Sequence, residues 1–169
     1  MLSFASASRI ISHANHGLDW LAPFFQLALR LFVAYVFLKS GLTKIEDFSA
    51  TVALFETEYH VPMLSPALAA YLGTAAEFIL PALFAIGLAS RPAAGAFFVF
   101  NAVAVFSYPD ISPAGVKDHI AWGTMMLVIL FFGAGRFSLD RLLADRWVPD
   151  GSSNRWASSQ PEFETKSVV

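Results

Sequence analysis

Four apolar stretches, each long enough or nearly long enough to cross a lipid bilayer as a helix, constrain the fold of this sequence more than any other feature. They run from about 21 to 42, 66 to 89, 92 to 108 and 119 to 133. The last two have about 16 residues each, near the lower limit for a hydrocarbon core about 30 Å thick. A soluble bundle would need polar helix faces, which the last three stretches lack. We therefore predict an all-α fold, an integral membrane four-helix transmembrane bundle.

The composition limits the classes of function. Hydrophobic residues make up 56% of the chain and charged residues 14%, whereas soluble domains carry about 25% charged residues. A net charge of −2 does not suggest a nucleic-acid partner, and the lipid bilayer is the expected surrounding. The chain has no cysteine, which excludes disulfides, thiol redox chemistry and iron–sulfur ligands. We see no spacing typical of a metal-ligand set and expect no metal.

Two segments outside the apolar stretches have the pattern of short interfacial amphipathic helices. In 46–59, aromatic and branched residues recur at helical spacing. In 138–147, Ser138 is the expected N-cap of a helix with one leucine-rich face and one charged face. We expect one transmembrane domain over 1–148, with interfacial segments near both ends, and a disordered polar tail over 149–169.

Positive charges near the ends of the apolar stretches predict the orientation of the chain. Five arginines flank one side of the predicted bundle: Arg9, Arg91, Arg136, Arg141 and Arg146. The other side has Lys44 and Lys117, with Lys39 just inside it. This excess predicts a multi-pass protein with both termini in the cytoplasm.

Arg30 and Glu77 are charged residues inside predicted spans. A lone charge at mid-membrane costs at least about 2.5–3.5 kcal/mol. Counted from the predicted cytoplasmic ends of their spans, Arg30 lies about 13 Å and Glu77 about 18 Å deep. We predict that the two form an ion pair, with Asn101 as a hydrogen-bonding third member. Such a pair either fixes helix packing alone or forms the centre of a ligand, proton or quinone site, and the sequence leaves both open.

A second polar group maps to the other end of the spans, which we call the outer mouth. It consists of Lys39, Lys44, Asp118 and His119. Asp118 suits the positive N-terminus of the fourth span, and His119 is of the residue type that titrates near neutral pH. Both a solvated charged rim and a functional mouth are compatible with these residues.

Four short motifs also stand in a particular order along the chain. They are Arg30 followed by Gly41-Leu-Thr-Lys44, the segment from Glu77-Phe-Ile-Leu-Pro81 to Arg91, Asp118-His-Ile-Ala-Trp122-Gly, and Gly133-Ala-Gly135-Arg-Phe-Ser138-Leu-Asp140. Their order and spacing resemble the DoxX family of bacterial inner-membrane proteins, over roughly residues 20–145. The resemblance implies a four-helix protein of the cell inner membrane, with recurrent polar residues at Arg30, Lys44, Glu77 and Arg91, and also at Asp118 and His119.

The resemblance also shapes the functional hypotheses. DoxX relatives include membrane subunits associated with thiosulfate:quinone oxidoreductase and with oxidative-stress complexes. Our leading hypothesis is a membrane subunit that binds a small hydrophobic redox partner, a quinone, with Arg30 donating to its carbonyl oxygen and Glu77 exchanging a proton. Because the sequence indicates no cofactor of its own, electrons would come from a separate oxidoreductase subunit, and whether this chain is itself an enzyme stays open. The alternatives are a non-catalytic scaffold for a partner protein and a small transporter, which four short spans would form only as a homo-oligomer.

Overall fold

The structure is a computed structural model that describes the backbone of residues 4–147 and the side chains of residues 16–146. Six helices follow one another along the described backbone: α1 Phe4–Glu46, α2 Phe48–Thr57, α3 Pro66–Ile86, α4 Ser90–Phe106, α5 Pro113–Phe132 and α6 Leu139–Trp147. No strand occurs among these residues, so the predicted all-α class is confirmed. The tail predicted to be disordered, 149–169, lies outside the described residues.

The four predicted spans correspond only roughly to the helices that are suited to cross a membrane. Three segments are long and apolar enough: His16–Glu46 within α1, Pro66–Ile86 and Pro113–Phe132. The other predicted span, α4, is apolar but has 17 residues. At a rise of 1.5 Å per residue it is about 26 Å long, slightly less than a typical hydrocarbon core.

Serine caps followed by proline set the beginnings of two of these helices. The Ser65 side chain accepts a hydrogen bond from Leu68 N, and the Ser112 side chain accepts one from Gly115 N. In each case proline occupies the first helical turn, where its missing N–H removes no helical hydrogen bond. The prediction that the last span begins at His119 was therefore six residues late. The hydropathy pattern missed this first part of α5 because it contains polar residues that the cap nevertheless draws into the helix.

The helices pack around an aromatic core. Val33 and Phe37 of α1, Phe84 of α3, Phe97 of α4, and Met126 and Ile129 of α5 are all buried in it. The ring centroids of Phe37 and Phe97 lie 4.7 Å apart in an edge-to-face arrangement that favours aromatic pairs. We call the two ends of this bundle the Arg30 end and the Lys44 end. The α3–α4 turn and α6 lie at the Arg30 end, while α2 and the α4–α5 loop lie at the Lys44 end.

Both short helices outside the spans form where they were predicted. In α2, the Asp47 carboxylate accepts a hydrogen bond from Ala50 N at 2.9 Å, and Phe55 is buried against Ala69 and Ala70 of α3. In α6, the Ser138 hydroxyl accepts a hydrogen bond from Arg141 N at 3.3 Å, as expected of its N-cap. That these helices lie at the membrane interface stays a prediction.

Asp140 of α6 caps α4, a different helix, and so holds the Arg30 end together. Its carboxylate accepts hydrogen bonds from Ala89 N at 2.8 Å, from Ser90 N at 2.7 Å and from Ser90 Oγ at 2.6 Å. Its own N–H donates to Gly87 O at 3.0 Å. Burial raises the pKa of Asp140, but the hydrogen bonds from Ser90 and Ala89 outweigh burial and hold that pKa below its ordinary value.

We predict that Asp140→Ala lowers the free energy of unfolding by roughly 0.5–2 kcal/mol, the usual cost of losing a helix cap. Because folding lowers the pKa of Asp140, this stabilisation is present above the unfolded-state pKa of about 3.9 and is lost as the pH falls through the folded-state value. Thermal unfolding in mild detergent between about pH 6 and pH 3 should therefore show the difference between wild type and variant shrinking with acid.

Asp145→Ala is the matched control, because Asp145 makes only an exposed ion pair with Arg141 on the same helix. Exposed pairs of this kind contribute little to stability. An Asp140→Ala difference that stayed constant down to the lowest pH would contradict the assignment of Asp140 as a charged cap.

Candidate functional site

Arg30 is fully buried at the Arg30 end of the bundle, where its guanidinium binds backbone carbonyls. Its Nη1 donates to Ala85 O in the last turn of α3 at 3.0 Å, and its Nη2 donates to Phe137 O in the loop before α6. A cation is favoured at a helix C-terminus because of the helix dipole. No acidic side chain pairs with Arg30 among the described residues, so the predicted Arg30–Glu77 ion pair is wrong.

The prediction failed because it used the wrong register between α1 and α3. Arg30 reaches Ala85 near the end of α3, whereas Gly41 lies against Glu77 and the Lys44 side chain reaches back to the Glu77 carboxylate. Along α3, Glu77 and Ala85 are separated by about 12 Å, and a single arginine side chain does not bridge that distance here. The estimated depths assumed that α1 begins near Leu21, where the apolar stretch begins, but the helix already runs from Phe4.

The cation that Glu77 binds is Lys44. Lys44 Nζ lies 2.7 Å from Glu77 Oε1 and 2.8 Å from Oε2, and it donates to Ser40 Oγ at 2.9 Å. The Ser40 hydroxyl in turn donates to Glu77 Oε1 at 3.2 Å. The two Glu77 oxygens and the Ser40 hydroxyl thus provide one acceptor for each of the three N–H donors of the Lys44 ammonium. The side chains of Lys44 and Glu77 are only 15% and 10% exposed, so this is a largely buried ion pair.

Close contact between α1 and α3 allows this pair to form. A Cβ atom added to Gly41 would lie 3.0 Å from the Phe78 ring and 3.2 Å from Glu77 Cβ. The glycine therefore lets the two helices approach between Ser40 and Lys44, where the ion pair forms. Gly41 and Lys44 belong to one of the motifs noted in the sequence, but the sequence placed Lys44 at the outer mouth and Glu77 in a separate intramembrane group.

Asn101 joins His119 and neither Arg30 nor Glu77. Asn101 Nδ2 donates to His119 O at 3.0 Å, and Asn101 Oδ1 lies 2.8 Å from His119 Nδ1. Asn101 is buried, and these two contacts connect α4 to α5. The predicted intramembrane group of Arg30, Glu77 and Asn101 is therefore distributed over three separate polar clusters.

Two cavities meet at the Lys44–Glu77 pair. The first, which we call the apolar cavity, has a volume of about 260 Å³ and lies between α2, α3 and α4. Apart from the ion pair its walls are mainly apolar, and they include Phe55, Leu72, Phe100 and Val103. The second, the polar cavity, has about 170 Å³ and is lined by Ser40, Tyr108, His119 and Trp122 among others. Lys44, Tyr59 and Glu77 line both cavities, so the pair forms part of the partition between them.

Tyr59 and Tyr108 belong to this site, although the sequence indicated no role for them beyond packing. The Tyr59 ring stacks on Phe55 at 4.6 Å and on Tyr108 at 4.9 Å between centroids. Burial, and then the nearby charge of Glu77, raise the pKa of Tyr59, which keeps its phenol protonated. Helical spacing over 46–59 placed Tyr59 on the same face as Phe55, but Tyr108 lies just past the end of α4, where hydrophobic periodicity does not predict the direction of a side chain.

The predicted outer mouth divides into two parts. Lys44 and His119 line the polar cavity. Lys39 and Asp118 are exposed and line neither of the two cavities that meet at the pair, so they are rim residues. Within the described part of the chain, no group of three or more His, Asp or Glu side chains is placed to hold a metal ion.

A comparison with known protein families finds a match, which covers part of the chain. Residues 25–109 match the family model of DoxX. The match covers about half of the chain and contains Arg30, Ser40, Lys44, Glu77 and Asn101, but it ends before His119. No curated protein and no solved structure shows significant similarity to the chain.

We predict that Arg30→Lys destabilises the protein by roughly 1–3 kcal/mol, the cost of leaving a buried polar group unpaired. A lysine presents a single ammonium and does not reproduce the two-pronged contact with Ala85 O and Phe137 O. Thermal or denaturant unfolding in detergent would measure the loss.

Arg91→Lys is the matched control for this substitution. Arg91 is exposed and makes one long hydrogen bond, 3.4 Å, to Phe131 O at the same end of the bundle. Its replacement should change stability by less than about 0.5 kcal/mol, as is usual for surface positions. Equal effects of the two substitutions would show that the buried contacts of Arg30 do not hold this end together.

Proposed function

This chain belongs to the DoxX family and is a membrane protein with several apolar helices, and we propose that it binds a small quinone-like ligand in the apolar cavity. The observation that carries the proposal is the Lys44–Glu77 ion pair, which forms a single charged wall in a cavity that is otherwise mainly apolar. Small-molecule sites typically combine apolar walls with a few well-placed polar groups. The volume of about 260 Å³ suits one ring-shaped head group.

The chemistry of the pair matches a ring that carries oxygen acceptors. Lys44 would donate an N–H hydrogen bond to a carbonyl oxygen of the ligand, the role that the sequence analysis gave to Arg30. Glu77, together with Lys44, would exchange a proton with that oxygen. Phe55, Tyr59 and Phe100 offer flat apolar surfaces to the ring.

The apolar cavity opens toward the part of the surface that faces lipid. Leu64, Leu72 and Val103 line it and are 36%, 51% and 41% exposed. In a membrane protein, exposed apolar side chains such as Leu72 on α3 and Val103 on α4 contact acyl chains, and Leu64 lies in the loop before α3. A ligand dissolved in the bilayer would enter between them and leave an alkyl tail in the lipid.

The proposal extends to location and partners. Arg91, Arg136, Arg141 and Arg146 lie at or near the Arg30 end, which supports a cytoplasmic Arg30 end and both termini in the cytoplasm of a bacterial inner membrane. Reduction of a quinone to a quinol takes two electrons and two protons. A separate oxidoreductase subunit would supply both electrons, the pair would supply the proton for the oxygen that it binds, and water would supply the proton for the other oxygen.

We predict that Lys44→Met and Glu77→Gln weaken binding of a short-chain benzoquinone about tenfold or more, because each removes a charge-assisted contact worth roughly 1.5–3 kcal/mol. Titration of the purified protein in mild detergent, followed by tryptophan fluorescence, would measure the affinity. Lys39→Met, an exposed lysine on the same helix, should leave binding unchanged. If the wild type binds no quinone, or if the two site variants only lower thermal stability, the pair is architectural and the proposal fails.

We also predict that Leu72→Trp weakens binding of a long-chain quinone more than binding of a tail-less one, because the larger side chain would narrow the opening between α3 and α4. Ile79→Trp is the control, since Ile79 is 58% exposed on the same helix but does not line the apolar cavity. The same titration in lipid nanodiscs would compare the two ligands. Identical losses for both would place the entrance elsewhere.

A further inference from the structure

The polar cavity brings ionisable groups from different parts of the chain to one space of about 170 Å³. Lys44 comes from α1, Glu77 from α3, His119 from α5, and Tyr59 and Tyr108 from the two loops at the Lys44 end. A water molecule takes about 30 Å³ in the liquid, so the space has room for several, and its polar side chains offer them hydrogen-bond partners. We call this space, on the opposite side of the Lys44–Glu77 pair from the apolar cavity, the chamber.

The contacts of Asn101 fix the tautomer of His119. A backbone carbonyl only accepts hydrogen bonds, so the Asn101 atom facing His119 O at 3.0 Å must be the amide nitrogen. The amide oxygen therefore faces His119 Nδ1 at 2.8 Å, and an oxygen acceptor there requires that Nδ1 carry the hydrogen. In the neutral ring Nε2 then has a free lone pair.

That lone pair has no partner among the described residues. The one side-chain hydrogen bond of His119 is made through Nδ1 to Asn101, and the ring packs edge-to-face against Trp122 and Phe37. A histidine that only joined α4 to α5 would need no more than the Nδ1 contact. Here the ring also lines the polar cavity, and its second nitrogen is left free of side-chain hydrogen bonds among the described residues.

We propose that His119 is the residue that exchanges protons between solution at the Lys44 end and the Lys44–Glu77 pair, through water in the polar cavity. When a ligand oxygen takes a proton from the pair, one N–H or O–H bond of the pair breaks and one O–H bond forms on the ligand. His119, protonated at Nε2 from solution, then releases that proton through chamber water to the pair and returns to the neutral tautomer. The net transfer is one proton from solution to the ligand oxygen, and no electron moves in this step.

The groups that face His119 fit this role. Across the chamber lie the Lys44 ammonium, the Glu77 carboxylate and the phenols of Tyr59 and Tyr108, and Asp118 precedes His119 on its own helix. From α4 the facing group is Asn101, which is not titratable and whose amide holds the ring in position. This proton transfer through His119, which we call the relay, rests on the proposed quinone-like ligand. The tautomer of His119 and the access of water to its Nε2 do not depend on that ligand.

The first experiment therefore needs no ligand. In full-length protein labelled with ¹⁵N-histidine in nanodiscs, NMR should show His119, assigned by its loss in His119→Gln, as the Nδ1–H tautomer with Nε2 in contact with water. Asn101→Leu should convert this signal into a tautomer mixture. An Nε2–H tautomer in the wild type, or an Nε2 sealed from water, would overturn the proposal even if quinone binds.

The second experiment uses a short-chain benzoquinone bound to the protein and reduced chemically, with proton uptake followed by a pH-sensitive dye. His119→Gln should slow uptake roughly a hundredfold, within the range of positioned acid–base groups, at unchanged quinone affinity. His60→Gln, an exposed histidine at the same end, should not slow it. Uptake at the wild-type rate in His119→Gln would refute the relay while leaving the binding site intact. If no quinone binds, the proposed function fails. The NMR experiment then decides by itself whether His119 has the tautomer and the water contact that proton exchange requires.

Discussion

Two buried cations on one helix must each find oxygen atoms, and this requirement sets the arrangement of the bundle. Arg30 and Lys44 are about 21 Å apart along α1, and each finds one of its acceptor groups on α3. Arg30 uses the carbonyl of Ala85 near the C-terminus of α3, whereas Lys44 uses the Glu77 carboxylate nearer its middle. Sliding α3 by one turn would break both contacts at once and separate the buried Lys44 from Glu77, which is strongly unfavourable. The two cations therefore fix the register of α1 against α3. Arg30 also binds the loop before α6 through its hydrogen bond to Phe137 O.

The helices pack more tightly around Arg30 than around Lys44. At the Arg30 end, Gly87 approaches so closely that a Cβ atom there would collide with Arg30 Nη1 and lie 2.7 Å from Ser138 Cβ. At the Lys44 end, two cavities border the ion pair. All three protons of the Lys44 ammonium have acceptors, and one of these acceptors is the neutral Ser40 hydroxyl. A ligand oxygen would most easily take the place of Ser40, because the exchange leaves the ion pair itself intact.

The elements that the sequence predicted well are those whose causes are local. Apolar runs located the four long helices, helical spacing located α2, and Ser138 marked the start of α6. The partners of Arg30 were not predictable in this way, since every residue carries a carbonyl and only the end of a helix leaves it free. Lys44 was assigned to the mouth because the apolar stretch ends near Leu42, yet α1 continues to Glu46 and turns Lys44 inward. Hydropathy thus reports which helices meet lipid, while the pairing of buried charges depends on a register that only the packed helices determine.

The extent of the family match divides the site into two parts. Every residue that lines the apolar cavity lies between Lys44 and Ser107, within the matched region 25–109. The polar cavity, in contrast, takes Ile111, His119 and Trp122 from beyond that region. The two cavities share the Lys44–Glu77 pair, but no residue of α5 lines the apolar cavity, so under the proposed function a change in α5 would affect proton exchange at the pair and leave the ligand-binding walls intact. Under the proposed function, binding and proton supply would therefore be separable, because the residues shared by the two cavities come from α1, α3, α4 and the loop that holds Tyr59, while α5 lines only the polar cavity.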